Sequence, residues 1–240
     1  MQIVRYFPII ICGYQVLACI ITYSIAVYNK HVYYLFPYIS DTGALTPEMN
    51  VFGQLFNIGA MLMAFGLFVR YKQVENDINT KNITLKPIWN KIVILLGFIA
   101  SFGVSVVANF SEYSILSIHL FGAFLAFGIG SFYFYIQTWI SSYYLKARNR
   151  RISRLTFCTR LVLACILVPL HFTGGHYGYL SFKEFHGESY LLWSEEDGGY
   201  NYHLLSVFSE WFMYLDMFFY ILTFSREYQK IEVGLTFKFK

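Results

Sequence analysis

Apolar and polar positions alternate along this chain on a coarse scale. Six runs of roughly 20 mostly apolar residues are separated by shorter polar stretches. The runs cover residues 7–28, 51–69, 91–108, 113–140, 157–177 and 203–224. A helix rising 1.5 Å per residue needs that length to cross a hydrocarbon core about 30 Å thick. Pro169, Gly174 and Gly175 interrupt the fifth run. It still reads as a spanning but kinked helix, because neighbours in a bundle can re-satisfy the backbone groups that a proline frees. The first run is too long for a signal peptide and lacks a small-residue cleavage site, so it is expected to persist as an anchor. The expected fold class is all-α. It is a polytopic membrane protein built as a bundle of six transmembrane helices, residues 1–240 forming one domain with a tail at 225–240.

Composition narrows the class further. Charged residues make up 13% of the chain against roughly 25% in soluble domains, and mean hydropathy is +0.48, so a soluble domain is excluded. No nucleic-acid partner is expected. Charge placement sets the orientation. With the N-terminus, the 70–91 loop, the 146–160 loop and the tail on one side, that side holds 16 of the 18 Lys and Arg residues. Only Lys30 and Lys183 fall on the other side. By the positive-inside rule both termini are expected in the cytosol.

The most informative polar stretch joins the first two runs. It reads PYISDTG at 37–43, followed by Pro47-Glu48. Asp can hydrogen-bond its own backbone, Gly accepts positive φ and Pro fixes φ, so Pro37, Tyr38, Asp41, Thr42, Gly43 and Pro47 predict a structured loop. Glu48 is placed where a helix N-terminus favours a carboxylate. Gln54 and Asn57 follow three residues apart on one helical face. Counted from the luminal end of each run, Asn57, His119 and Glu210 all lie roughly 9–11 Å deep at helical rise. Gln54 and Asn109 lie just above them. Ionisable groups at that depth are costly unless they face the bundle interior and find partners. The sequence therefore predicts one luminal-half polar cluster of Gln54, Asn57, Asn109, His119 and Glu210. Three meanings compete for it: a network that ties helices together, a pocket for a lipid or sterol headgroup, or a catalytic His/Glu pair.

Other features are weaker. Cys12 and Cys19, like Cys158 and Cys165, lie seven apart within apolar runs, so they predict packing residues and no disulfide framework. No HExxH, GxSxG or Cys/His nucleophile arrangement is present, and the histidines lack metal-ligand spacing. No cofactor or metal is expected, and no reaction is assigned. Lys146, Arg148, Arg150, Arg151 and Arg154 crowd one cytosolic loop, where basic residues set topology and attract anionic lipid. Two cytosolic tetrapeptides fit a tyrosine-plus-apolar sorting pattern, beginning at Tyr71 (with Val74) and at Tyr228 (with Ile231). All six histidines fall on the luminal side, whose loops carry eight carboxylates against two lysines. Acidification would charge those histidines, so the 178–202 loop is expected to pack onto the 37–48 loop in acid.

Taken together, these motifs resemble the Frag1/DRAM/Sfk1 group of six-helix membrane proteins, in particular its damage-regulated autophagy modulator branch. The resemblance rests on PYISDTG with Pro47-Glu48, on Phe52-Gly53 and Asn57, and on RYK at 70–72. It extends through VANFSE at 107–112, His119 with Gly122-Ala123, Ala126-Phe127, Gln137, Tyr202-His203, Glu210-Trp211 and the aromatic run at 218–224. Asp216 departs from the group's pattern, where a small or apolar residue is usual. The resemblance implies residence in lysosomal or related endomembranes, with the plasma membrane as the alternative site, and a role in promoting autophagy and cell death. Scaffolding of cytosolic partners or lipid sensing would fit that role. Lipid remodelling or transport through the polar cluster is the alternative. A proton-coupled transporter using His119, Glu210 and Asp216 is a third reading, but no inverted repeat supports it.

Overall fold

The computed structural model describes residues 2–147, 149, 151–229 and 231. Among them are six helices long and apolar enough to cross a membrane, and no strand. The spans are α1 (Phe7–Tyr28), α2 (Glu48–Asn79), α3 (Pro87–Asn109), α4 with α5 (Glu112–Ala123 and Gly130–Leu145), α6 (Arg154–Glu184) and α7 (Tyr200–Leu222). A π-helical turn at Phe124–Ile129 joins α4 to α5 as one continuous span. A single-turn helix, α8 (Ser225–Tyr228), follows α7 and packs beside the N-terminal turn Gln2–Tyr6. The Gln2–Tyr6 turn and α8 therefore share one face of the bundle, called here the terminal face. The opposite face is the loop face.

Local chemistry explains where the helices begin. Pro8 and Pro87 occupy the first turns of α1 and α3, where no backbone donor is lost. The Ser111 side chain caps α4 by accepting from the Tyr113 N–H, and Ser153 caps α6 by accepting from Thr156. Gly198 and Gly199, at φ 79° and 62°, turn the chain into α7. Several helices outrun their apolar stretches. α2 continues ten residues past Val69, to Asn79, because its polar last turns are hydrogen-bonded to other segments, Arg70 to Glu227 and Asp77 to Tyr144. α6 runs unbroken through Pro169 to Glu184.

Close packing sets the bundle's order. α6 lies along α7, α2 along α3, and α1 against α2. Gly103 of α3 meets the π turn almost backbone to backbone. A Cβ there would stand 2.5 Å from the Ala126 nitrogen and 2.8 Å from the Gly122 oxygen. Only glycine permits that approach.

The terminal face is held by charge. Arg70 of α2 and Arg160 of α6 are 1% and 0% exposed. Both grip the Glu227 carboxylate of α8, Arg70 Nη1 at 2.7 Å from Oε1 and Arg160 Nη2 on Oε2. The Phe224 ring lies under both guanidiniums. Gln137, Gln73, Ser141 and Thr223 take further guanidinium hydrogens. A second node forms at buried Asp77, which accepts from Tyr144 Oη at 2.9 Å and from Arg151 Nη2 at 2.8 Å.

This packing removes both sorting tetrapeptides from play. Tyr71 lies in α2 and bonds Glu75, and Val74 is fully buried. Tyr228 is 3% exposed, donates to the Gly66 carbonyl, and Ile231 packs on the core. Both tyrosines thus lie within helices. Cys12 and Cys19 are buried as expected, whereas Cys158 and Cys165 are exposed on the outer surface of α6.

Candidate functional site

The loop predicted at 37–48 is rigid and inserted into the loop face. Ser40–Gly43 forms a 3-10 turn with Asp41, Thr42 and Gly43 buried. Asp41 accepts from the Tyr38 N–H at 2.9 Å, its side chain reaching back to the backbone three residues earlier to close the turn. Thr42 Oγ1 donates to the Ile39 carbonyl and meets Thr22 Oγ1 of α1 at 3.0 Å. Gly43 lies flat on Phe52, where any Cβ would collide with the ring. Thr46-Pro47 is cis. Glu48, 1% exposed, pairs with His31 Nδ1 at 2.5 Å and accepts from Asn29. From the far side, Glu210 of α7 accepts from the Ile39 N–H at 3.2 Å and Trp211 donates to the Pro37 carbonyl at 3.0 Å. Ser111 donates to the Ala44 carbonyl. Asp41, Thr42 and Glu48 thus each have a distinct anchoring role.

Below this loop lies a cavity of about 550 Å³ between the helices. Its walls are overwhelmingly apolar, with Phe56, Leu67, Val104, Phe127, Met213 and Phe218 among them. Its loop-face end is polar: Tyr38, Ser40, Glu112, His119, Ser206 and Glu210 all reach it. His119 Nδ1 donates to the Phe110 carbonyl at 2.8 Å, so that nitrogen carries the proton. Its Nε2 faces Glu112 at 3.9 Å. Halfway down, Gln15, Tyr214 and His171 add isolated polar atoms. Tyr214 donates to Gln15 Oε1 at 3.5 Å, and His171 Nε2 lies 3.2 Å from the Phe127 carbonyl.

The cavity meets the outside of the bundle between α4 and α6. α4 packs on α3 and has no comparable contact with α6. Leu120 of α4 and Tyr179 of α6 line the cavity yet are 56% and 68% exposed. Gly175 of α6 also lines the cavity, and a Cβ there would meet nothing within 4 Å, whereas Gly174 and Gly178 turn toward Ser209 and Ser206 of α7.

A cap formed by the α6–α7 connection covers the loop face. Trp193, 2% exposed, stacks on His203 at 4.3 Å and packs edge-on against Phe182 and Phe185. The cap touches the first loop through the Tyr33 N–H, which donates to the Leu191 carbonyl. Asp197 closes the cap's 3-10 turn by accepting from the Ser194 N–H and hydroxyl, and these bonds hold its carboxyl below the ordinary value. A second cavity of about 170 Å³ lies under the cap and shares Tyr38, Glu112, Leu116 and Phe182 with the first. Asp41 faces it. Burial, and then the nearby Glu112 carboxylate, push the Asp41 carboxyl well above its ordinary value. Burial likewise raises the Tyr38 phenol.

The single cluster expected from depth separates into three groups. Asn57 and Asn109 bond one another at 3.0–3.1 Å, with Ser105 donating to Asn57, on the flank of α2 and α3. His119 joins Glu112, and Glu210 joins the loop backbone. Gln54 is exposed, because the face of α2 turned inward is that of Phe52, Phe56 and Gly59. Of the five, His119 and Glu210 line the cavity. Glu112, Tyr38, Ser206 and Gln15 were not foreseen as partners there. Glu112 read as a turn residue, and Gln15 is a lone polar position in an otherwise apolar run. Among the described residues no group of His, Cys, Asp and Glu has the geometry of a metal site. On the terminal face Lys146 and Arg154 are exposed and Arg151 is tied to Asp77, while Arg148 and Arg150 lie outside the described residues.

These features define a class: a multi-pass α-helical membrane protein with a roofed, laterally open apolar cavity. The profile described as the Frag1/DRAM/Sfk1/Cwh43P N-terminal domain matches residues 3–231, and the chain belongs to that family. It is similar to DNA damage-regulated autophagy modulator protein 2 of Homo sapiens, 34% identical over 90% of this chain and 80% of that one. DNA damage-regulated autophagy modulator protein 1 of Homo sapiens is 31% identical over 95% of this chain and 92% of its own. The Modulator of macroautophagy TMEM150B-B of Xenopus laevis is 34% identical over 62% of this chain and 64% of its own. No solved structure matches. The chain is thus a DRAM-like, autophagy-related membrane protein.

Proposed function

We propose that this protein promotes autophagy and cell death from lysosomal or related endomembranes by sensing a lipid held in the 550 Å³ cavity. The single observation that carries the reading is the cavity itself, apolar along its length, polar at one end and open sideways between α4 and α6. A chain of that shape takes an amphiphile from the bilayer without crossing water. Glu112 and Glu210 are acceptors when ionised, so the head they suit donates hydrogen bonds, as the hydroxyl of a sterol does. The charge bias of the terminal face supports its assignment to the cytosol and the cap's to the lumen. Occupancy is then signalled through the loop that Glu210 and Trp211 anchor. Scaffolding of cytosolic proteins on the terminal face is compatible with this reading.

The test is lipid retention. Full-length protein purified from cells in nanodiscs is extracted and its lipids identified by mass spectrometry, and autophagic flux is measured in parallel. Wild type retains one hydroxyl-bearing lipid above the bulk composition. Gly175→Leu, whose side chain enters open space at the mouth, folds normally but loses the lipid and the flux response. Glu210→Gln keeps the loop's hydrogen bond and is milder. Retained lipid indistinguishable from bulk in wild type, with Gly175→Leu fully active, overturns the proposal. The lateral mouth also favours a second reading, lipid transport or remodelling. Net movement or chemical change of the bound lipid during incubation separates that from sensing.

A further inference from the structure

A second hollow lies on the terminal face, remote from the cap, with a volume of about 350 Å³. Arg151, Ser153, Arg154, Thr156, Arg226 and Glu227 line it. It is built where the start of α6 meets α8, two segments far apart in sequence. Ser153 and Thr156 stand at the start of α6, where Ser153 caps the Thr156 N–H and the helix dipole favours an anion.

The charges around the hollow do not balance. Glu227 is the single carboxylate in the lining, and both of its oxygens are taken by Arg70 and Arg160 behind the wall. Two buried guanidiniums share one carboxylate, so one positive charge is left over. Arg151 is neutralised by Asp77. Among the described residues Arg154 and Arg226 enter no ion pair. Arg160 Nη2 also donates to the Thr223 carbonyl at 3.2 Å, and Thr223 is itself part of the wall. The triad's surplus charge therefore stands directly behind the hollow, with free arginines at its rim. Guanidiniums bind phosphate oxygens in a bidentate fork. Leu155, beside Arg154, is 75% exposed and extends an apolar side chain outward at the same level.

We propose that this hollow binds a phosphate group, supplied by the headgroup of an anionic lipid in the adjoining leaflet, with Arg154 and Arg226 as the direct ligands. Occupancy balances the surplus charge of Arg70, Arg160 and Glu227 and pins α8 against α6. The site shares no lining residue with the intramembrane cavity.

Full-length protein is reconstituted in phosphatidylcholine nanodiscs with or without phosphatidylinositol 4-phosphate, and bound lipid is counted by native mass spectrometry. Wild type retains the phosphoinositide over phosphatidylcholine. The pair Arg154→Gln with Arg226→Gln lowers retention about tenfold or more, since charged hydrogen bonds of this kind carry that much affinity. Lys86→Gln with Lys91→Gln removes equal charge from α3, which does not line the hollow, and leaves retention unchanged. Equal loss in both pairs means diffuse surface attraction and overturns the site. No preference of wild type for the phosphoinositide also overturns it. Inorganic phosphate is then titrated in phosphatidylcholine discs. If it binds there as tightly as the phosphoinositide does and is lost in the arginine pair, the phosphate site stands and the lipid source is overturned. Melting temperatures matching wild type certify that both pairs fold.

Discussion

Glu227→Ala tests the physics of the terminal face most directly. The carboxylate bridges two arginines that are at most 1% exposed, with one contact at 2.7 Å. Removing it orphans both guanidiniums at once and leaves two like charges in a poorly hydrated site. Breaking one buried pair from one side costs about 3–5 kcal/mol, and this substitution breaks two, so the upper part of that range is expected. For a chain of this size each kcal/mol lowers the melting temperature by roughly 2–4 °C, which gives a fall of about 10 °C or more. Glu227→Gln keeps an acceptor for one arginine but turns an amide donor on the other, and its loss should be about half as large. Adding Arg70→Met to Glu227→Gln removes one orphan and should recover part of the loss. The assay is a thermal melt in detergent followed by size-exclusion chromatography at fixed protein and lipid. A Glu227→Ala melt within about 2 °C of wild type would refute the reasoning, because it would mean that water already solvates the guanidiniums.

Three further outcomes follow from the geometry. Asp216 is 6% exposed and its Oδ2 has no hydrogen-bond partner among the described residues, so Asp216→Ala should raise stability by about 1–3 kcal/mol in the same melt. The Asp41 carboxyl is raised in the folded loop above its ordinary value of 3.8 by burial and by Glu112. Its stabilising contribution is therefore complete below that ordinary value and is lost as pH rises through the folded value. Hydrogen exchange across residues 37–48, corrected for intrinsic rates, should show greater protection in acid, and Asp41→Asn should flatten that dependence while keeping the bond from Tyr38. Gly103→Ala drives a methyl into the backbone of the π turn and should cost about 1–3 kcal/mol, whereas Gly13→Ala, with nothing within 4 Å, should be neutral or slightly stabilising.

The six spans were legible because apolar length is a one-dimensional property that a bilayer reads directly. The loop at 37–48 was legible for a similar reason, since Asp41, Gly43 and Pro47 fix their own backbone. The polar cluster was not, because depth is only one of two coordinates of a residue on a helix. Rotation about the axis is the other, and it is set by neighbours. Asn57 shares a depth with Glu210, yet it and Asn109 point to a different flank. Arg70, Arg160 and Glu227 read as topology charges and tail. Their pairing joins residues 157 and 67 positions apart, which no local pattern encodes. Tyr228 misled in the same way, its short motif being absorbed into α8 and the core.

The π turn at Phe124–Ile129 gives the fourth span the character of a crystal with a dislocation. Its hydrogen bonds skip one residue more than those on either side, so the turns above and below are out of register with one another. The turn absorbs that extra residue locally; deleted from an unbroken α-helix instead, one residue would turn Glu112–Ala123 by about 100° relative to Gly130–Leu145. Leu116 and Leu120 would leave the cavity mouth, and Gly122 would leave its seat on Val106. A dislocation can also glide, passing one residue at a time by exchanging a single pair of bonds. Each step would re-aim one side chain at the mouth between α4 and α6 while the other five spans stay still.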